Sequence, residues 1–334
     1  NVPHDWVVEL PFVKSTTHEM DTHGYKPVGS AYPETSIGWY RKHFTIDKKD
    51  TDKRFELQFD GIYRNAAIWI NGFYVGTNFS GYLGNTYDVT DFMNFEGDNV
   101  LVIRVDATQA EGWFYEGAGI YRHVWLNITD KIFVPTDGVF VYSEIKGRNT
   151  VTTIETNVQN KHLKTSDCIV YNIITDRNGK VLAKSSEQKI SLGILKDVTV
   201  KQKVNLNNVR LWSVDDPYLY KVITVVKSDN QIVHQTKTRF GIKNVRFDAE
   251  EGFFLNGKHL KIQGTNNHQD HAGIGSALPD YLQYYRIKLL KELGCNAYRA
   301  SHNAPTPELL EACDSLGMLV VDEQRLLNSS PEYI

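Results

Sequence analysis

The stretch "CNAYRASHNAPTPELLEACDSLGMLVVDE", residues 295–323, decides the fold of the C-terminal part of the chain. "CNAYRA" reads as a strand. Thr306-Pro307 then supplies a helix cap and a first-turn proline, and Gly317 closes the helix. "MLVVD" is apolar throughout, as expected of a strand buried on both faces of a parallel sheet. Arg299, His302, Asp322 and Glu323 all fall where these strands end. In parallel α/β folds the working rim lies at the carboxyl ends of the strands.

Working outward, a hairpin "GFFLNGKHLKIQG" leads into "TNNHQDHAGIGSALPD" and a further helix. Asp280 is expected to cap that helix, with Gln283 three residues on. Leu282, Tyr285, Leu289 and Leu293 form one apolar stripe, and Gly294 ends it. The order is β-α-β-α-β, with which doubly wound sheets and (β/α)8 barrels both begin. A complete barrel takes about 250 residues, far more than residues 242–334 supply. A barrel reading therefore makes this chain a fragment of the working protein.

The N-terminal two thirds obey a different grammar. From Trp39 to about Ile128 apolar residues recur with period two, the mark of half-buried strands. Phe55, Leu57 and Phe59 share one face, as do Leu101, Ile103 and Val105, and Val124, Leu126 and Ile128. "AIWINGFYVG" is a hairpin whose Asn71-Gly72 suits a tight primed turn. This block predicts a jelly-roll β-sandwich over 1–131. Strand-like runs at "GVFVYSEI", "CIVYNII", "DVTVKQKV", "LYKVITVV" and "QIVHQTKTRF" predict a second, immunoglobulin-like sandwich over 132–241. The fold class is thus multidomain: β-sandwich, immunoglobulin-like β-sandwich, and the start of a (β/α)8 TIM barrel over 242–334.

Composition bounds the function. Apolar residues at 41% and charged residues at 23% describe a soluble globular protein. A net charge of −3 without a dense basic run argues against nucleic acid, and no apolar run approaches membrane-spanning length. Cys168, Cys295 and Cys313 lack metal spacing and read as small core residues. "NVPHDWVVEL" lacks the pattern of a signal peptide and has no initiating Met, so a mature or trimmed N-terminus is expected.

Candidate chemistry sits at three strand ends. The first offers Asn266, Asn267, His268, Asp270 and His271; the second Arg299, Ser301, His302 and Asn303; the third Asp322 and Glu323. Such a mixture of His, Arg and carboxylate suits a sugar or phosphate pocket. His268, Asp270 and His271 could ligate a metal but match no zinc spacing, and adjacent Ser301-His302 make a poor triad. A glycosidase pair needs two carboxyl groups facing across the scissile bond. Asp322 and Glu323 are strand neighbours whose side chains diverge, so they do not form that pair.

The ordered motifs resemble glycoside hydrolase family 2, the β-galactosidase, β-glucuronidase and β-mannosidase group. They are "VPHDW" at 2–6, "GWYRKHF" at 38–44, "EGAGIYRHVWL" at 116–126, "FGIKNVRFDAEEGFFLNGKHLKIQGTNNHQD" at 240–270, "NAYRASHNAP" and "CDSLGMLVVDE". The resemblance implies that His268, Arg299 and His302 surround the nonreducing-end sugar; Asn303, Asp322 and Glu323, from the same strand ends, complete the expected substrate-binding set. It implies that the acid/base and nucleophile glutamates lie beyond Ile334. Asn267 stands where many members have Arg, and "QRLLNSS" follows where metal-using members carry Glu and His ligands. No metal or other cofactor is expected. Trp6, Trp113, Tyr115 and Glu116 either edge the pocket or are buried between domains. The resemblance implies retaining hydrolysis of terminal β-D-galactosides by the complete enzyme, the chain alone being inactive. The alternatives are a β-glucuronidase or β-mannosidase, or a noncatalytic carbohydrate-binding module. A carbohydrate is the expected partner, a homo-oligomer stays open, and a periplasmic or secreted compartment is expected.

Overall fold

The computed structural model describes residues 1–14, 31–33, 36–108 and 115–323. In the first sandwich Phe55, Leu57 and Phe59 are buried with Leu101, Ile103 and Val105, because period-two patterning turns alternate side chains inward. One sheet runs Ile37–Phe44, Asn99–Asp106, Ala66–Ile70, Phe73–Asn78; the facing sheet runs Asn85–Asp88, Arg54–Phe59, Val124–Thr129. Asn71 and Gly72 take the positive φ angles, 51° and 86°, of the hairpin turn. Val124 and Leu126 pack on this core, whereas Ile128, expected to join them, is exposed at the strand end.

The second sandwich packs a four-stranded sheet on a five-stranded one. Its longest strand, Asn149–Asn160, pairs with both Val139–Lys146 and Asp197–Leu206. None of the expected strand-like runs covers it. Its inward positions hold Thr150, Thr152 and Thr156 as well as Ile154 and Val158, so an apolar-alternation test passes over it. Threonine is β-branched and fits a pleated strand regardless.

After a small antiparallel sheet over 245–259, the chain forms three parallel strands: β1 (Gly264–Asn267), β2 (Ala297–Ala300) and β3 (Leu319–Val321). They are linked by α1 (Asp280–Glu292) and α2 (Pro307–Leu316). Thr306 caps α2 by accepting from the Leu309 N–H, Pro307 is its first residue, and Gly317 closes it with φ 78°. Ile287, Tyr298, Leu309, Cys313 and Met318 form the core of this unit.

Three local expectations fail. Asp280 does not cap α1: Pro279 occupies the cap position, and Asp280, one residue inside, is drawn to His123. The stripe of Leu282, Tyr285, Leu289 and Leu293 is not the core face. Tyr285, Leu289 and Leu293 are exposed, while Ile287 and Gln283 are buried. Both faces of α1 carry apolar residues, and Gln283 is accommodated inside because its carbonyl accepts from the Thr306 hydroxyl. β3 is only half buried, with Val321 exposed; among the described residues no further strand pairs with its outer edge.

The second sandwich meets the parallel unit tightly. Trp212, Val214, Phe253 and Leu255 cluster with Leu319. Trp212 Nε1 donates to the Asp314 carbonyl at 2.8 Å, and Lys291 Nζ donates to the carbonyls of Val214 and Gly317.

Candidate functional site

Register sets the site. Arg299 on β2 pairs with Val321 on β3, so Glu323, two residues beyond Val321, returns to the same side as Arg299. The Arg299 guanidinium and Glu323 carboxylate form an ion pair. His302 Nδ1 lies 2.8 Å from the other Glu323 oxygen. The His268 ring meets the His302 ring edge-on, with centroids 5.6 Å apart. Strand ends one, two and three thus contribute His268, Arg299 with His302, and Glu323 to one cluster. Its polar groups remain half exposed at the rim, where a hydroxyl-rich ligand can reach them.

Ser301 joins this cluster, its hydroxyl accepting from Arg299 Nη1 at 3.4 Å, whereas several other candidates lie apart from it. Asp322, one residue past the end of β3, is exposed. The Asn267 amide turns back to donate to Thr265. Asn266 and His271 are exposed, and His271 Nδ1 lies 3.0 Å from the Ala272 carbonyl. Asn303 is 3% exposed and lines a small cavity of about 20 Å³ with Asn267, Ser301, Arg122, Gln269 and Gln283. The residue following a strand-end histidine turns inward here because the loop must regain α2.

The loop after β1 is fastened from the first sandwich by Asp5. This buried carboxylate accepts hydrogen bonds from the N–H groups of Val7 (3.1 Å), Ala118 (3.0 Å) and Ser276 (2.8 Å), and from the Tyr115 hydroxyl (2.8 Å). Burial pushes its pKa up against the pull of those four donors. Gly117 and Gly275 approach at positive φ, 74° and 72°, and a Cβ on either would stand 2.4 or 2.2 Å from Asp5 Oδ2. Only glycine fits there. Glu116 is buried in this junction, with its carbonyl accepting from the Ser276 hydroxyl, and Trp6 packs against it. Of the four aromatic-edge candidates, Trp6, Tyr115 and Glu116 therefore lie in a domain junction; Trp113 lies outside the described residues.

His268, Asp270 and His271 do not gather as metal ligands. Among the described residues, the group with ligand-like geometry is His123, Asp280 and Glu308, their atoms within 4.8 Å of one another. Asp280 and Glu308 stand in the first turns of α1 and α2, whose positive dipole ends oppose a cation. The cluster reads instead as a proton-bearing bridge. Burial alone lowers the His123 pKa, but the hydrogen bond to Asp280 and the nearby Glu308 and Asp60 raise it overall. Burial raises that of Glu308. Sequence reasoning missed Asp5, Arg122 and His123 because each acts across more than 100 positions; their motifs "VPHDW" and "GIYRHVW" were the available signal.

A larger cleft of about 670 Å³ lies between the two sandwiches and α2, lined by residues such as Arg54, Thr136, His234, Lys237 and Glu311. It contains none of the strand-end residues.

Three family models match in succession. Residues 25–130 match the sugar binding domain of glycosyl hydrolases family 2, 134–243 match glycosyl hydrolases family 2, and 246–330 match the family's TIM barrel domain. The chain belongs to glycosyl hydrolase family 2. Among its family 2 relatives is beta-galactosidase BoGH2A of Bacteroides ovatus, 36% identical over 97% of this chain and 37% of its own length. A beta-glucuronidase of Formosa agariphila is 29% identical over 85% of this chain and 31% of its own length. A solved family 2 structure from Bacteroides cellulosilyticus superposes with a TM-score of 0.90 at 35% identity, covering 97% of this chain and 42% of that one. The chain therefore spans well under half the length of these family 2 proteins.

Proposed function

We propose that this chain forms the N-terminal part of a retaining β-glycosidase that removes terminal β-D-galactosyl residues, with His268, Arg299, His302 and Glu323 lining the sugar-binding rim. The observation that carries the reading is the convergence of Arg299 and His302 on Glu323 at the carboxyl ends of parallel strands. Glu323 holds both side chains in place. The guanidinium keeps donors for sugar hydroxyls, and the imidazole of His302 has the donor and acceptor chemistry that suits a hydroxyl. Because Glu323 already neutralises Arg299, the rim favours a neutral sugar over a uronate. That supports galactoside over glucuronide, and the family 2 beta-galactosidase relative supports it too. The beta-glucuronidase relative keeps glucuronide as the second reading.

Retention requires two carboxyl groups about 5–5.5 Å apart across the glycosidic bond. Asp322 is exposed and Glu323 is bound to two cations or donors, so this reading assigns acid/base and nucleophile to carboxylates beyond Ile334. The rim residues contribute by gripping the sugar, and contacts that tighten as the ring distorts would raise turnover.

The test compares the protein from the complete reading frame with the 334-residue chain on nitrophenyl β-galactoside, β-glucuronide and β-mannoside. Turnover by the longer protein alone, fastest on the galactoside, is the expected result. Comparable turnover by the 334-residue chain would sink the assignment of the catalytic carboxylates, and preference for the glucuronide would replace the substrate.

A further inference from the structure

We infer that Arg122, in the first sandwich, is a positioning residue for the sugar-binding rim: it holds the loop that presents His302. The inference rests on the proposed rim. His302 sits on a short loop between two fixed points. At its start the Ser301 N–H donates to the Asn267 carbonyl at 3.0 Å, which ties it to β1. At its end Arg122 Nη2 donates to the Ala304 carbonyl at 2.7 Å, two residues past His302.

Arg122 is itself immobilised. It is 5% exposed, and Nη1 donates to the carbonyls of Asp60 (3.3 Å) and Tyr82 (3.2 Å) within the sandwich. Its guanidinium lies over the Tyr121 ring at 5.0 Å. A Cβ on Gly61 would stand 2.6 Å from Arg122 Cδ, so the side chain runs through a slot with no spare width. One planar fork therefore spans three carbonyls, two on the sandwich and one on the loop. An ammonium at that place reaches fewer of them at once, because it is a point charge on a flexible stem. The position of His302 relative to Glu323 is thus set partly by a residue that touches neither.

Such a residue acts on turnover through geometry, and supporting groups of this kind alter activity by roughly 10–100-fold. The test has two arms. In the protein from the complete reading frame, kcat and KM on nitrophenyl β-galactoside are measured for Arg122→Ala and Arg122→Lys beside thermal unfolding. The expected result is a kcat loss of about 10-fold or more for Arg122→Ala, a smaller change in KM, and partial recovery in Arg122→Lys. In the 334-residue chain, amide exchange over 301–305 is compared with exchange over 54–59. Arg122→Ala should quicken the first and leave the second alone. Wild-type kcat in a folded Arg122→Ala protein, or unchanged exchange at 301–305, overturns the inference. So does equal quickening of both segments, which would mark Arg122 as a support of the sandwich only. If the wild-type longer protein cleaves no glycoside, the β-glycosidase reading fails by itself, and the exchange arm still decides whether Arg122 holds the loop.

Discussion

Replacing Asp5 strips one acceptor from donors that come from three separate places: Val7 on its own segment, Tyr115 and Ala118 across the sandwich edge, and Ser276 on the loop after β1. In Asp5→Ala three backbone N–H groups lose their partner in a buried setting, at about 1–3 kcal/mol each. Water entering the space left by the carboxylate, and relief from burying a charge, offset part of that. The expected net cost is about 3–5 kcal/mol. Asp5→Asn isolates the chemistry at constant shape. Its amide oxygen can serve one pair of donors, but its NH2 group faces the other pair, so about half the cost, roughly 2 kcal/mol, should remain. Because several units share the chain, a single unfolding free energy is not defined. Local opening is the better measure, read as exchange of the Ser276 amide. At about 1.4 kcal/mol per decade, Asp5→Asn should accelerate that amide by more than 10-fold and Asp5→Ala by about 100-fold or more. Amides in the sandwich interior, such as Ile103, should change far less. Acceleration of Ser276 below threefold in both variants would show that Asp5 is not what fastens the loop.

Other expectations concern the rim and the junctions. In the complete protein, Arg299→Ala and His302→Ala should each lower kcat/KM on the order of 10²-fold, with turnover hit harder than affinity; near-normal kinetics in folded variants would remove both from the site. Glu323→Gln should loosen Arg299 and His302 together, so its loss should not add to theirs in a double-mutant comparison. Gly275→Ala should destabilise through both its positive φ and its clash with Asp5, and thermal unfolding no different from wild type would contradict the packing described. His123 has a raised pKa, so its bridge to Asp280 is complete below about 6.5 and is lost as pH rises through the higher folded value. Glu308, raised by burial, acts with the same sign at lower pH. Melting should therefore fall as pH rises above about 6.5 in the wild type and stay flatter in His123→Gln.

Much of the architecture was legible because it rests on local chemistry. Asn71-Gly72, Thr306-Pro307 and Gly317 act through backbone angles and caps that the residues themselves impose. The alternation of Phe55, Leu57 and Phe59 needs only the geometry of a strand. The helix α1 was harder, since both of its faces carry apolar residues and only the sheet beneath decides which is covered. The strand Asn149–Asn160 escaped because its inward threonines look polar on any apolar scale. At the site, strand-end logic brought Arg299, His302 and Glu323 forward without showing that Glu323 would bind the other two. Asn303 looked equivalent to His302 and lines a small cavity, a matter of loop course that neighbouring letters do not encode. Asp5 and Arg122 meet partners far along the chain, and no local pattern announces such partners.

The hydrogen bond from Ser276 to Asp5 joins positions 271 apart. On the ribosome this separation becomes a delay. Val7, Tyr115 and Ala118 are available to Asp5 as soon as the first sandwich has emerged, but Ser276 follows only after the whole second sandwich has been made. At about 5–20 residues per second, the interval between Ala118 and Ser276 is roughly 8–30 s. Throughout it the nascent first sandwich presents a carboxylate that still lacks its Ser276 donor. The first strand-to-helix loop of the parallel unit thus finds its seat already built, and the order of synthesis runs from template to the part it shapes.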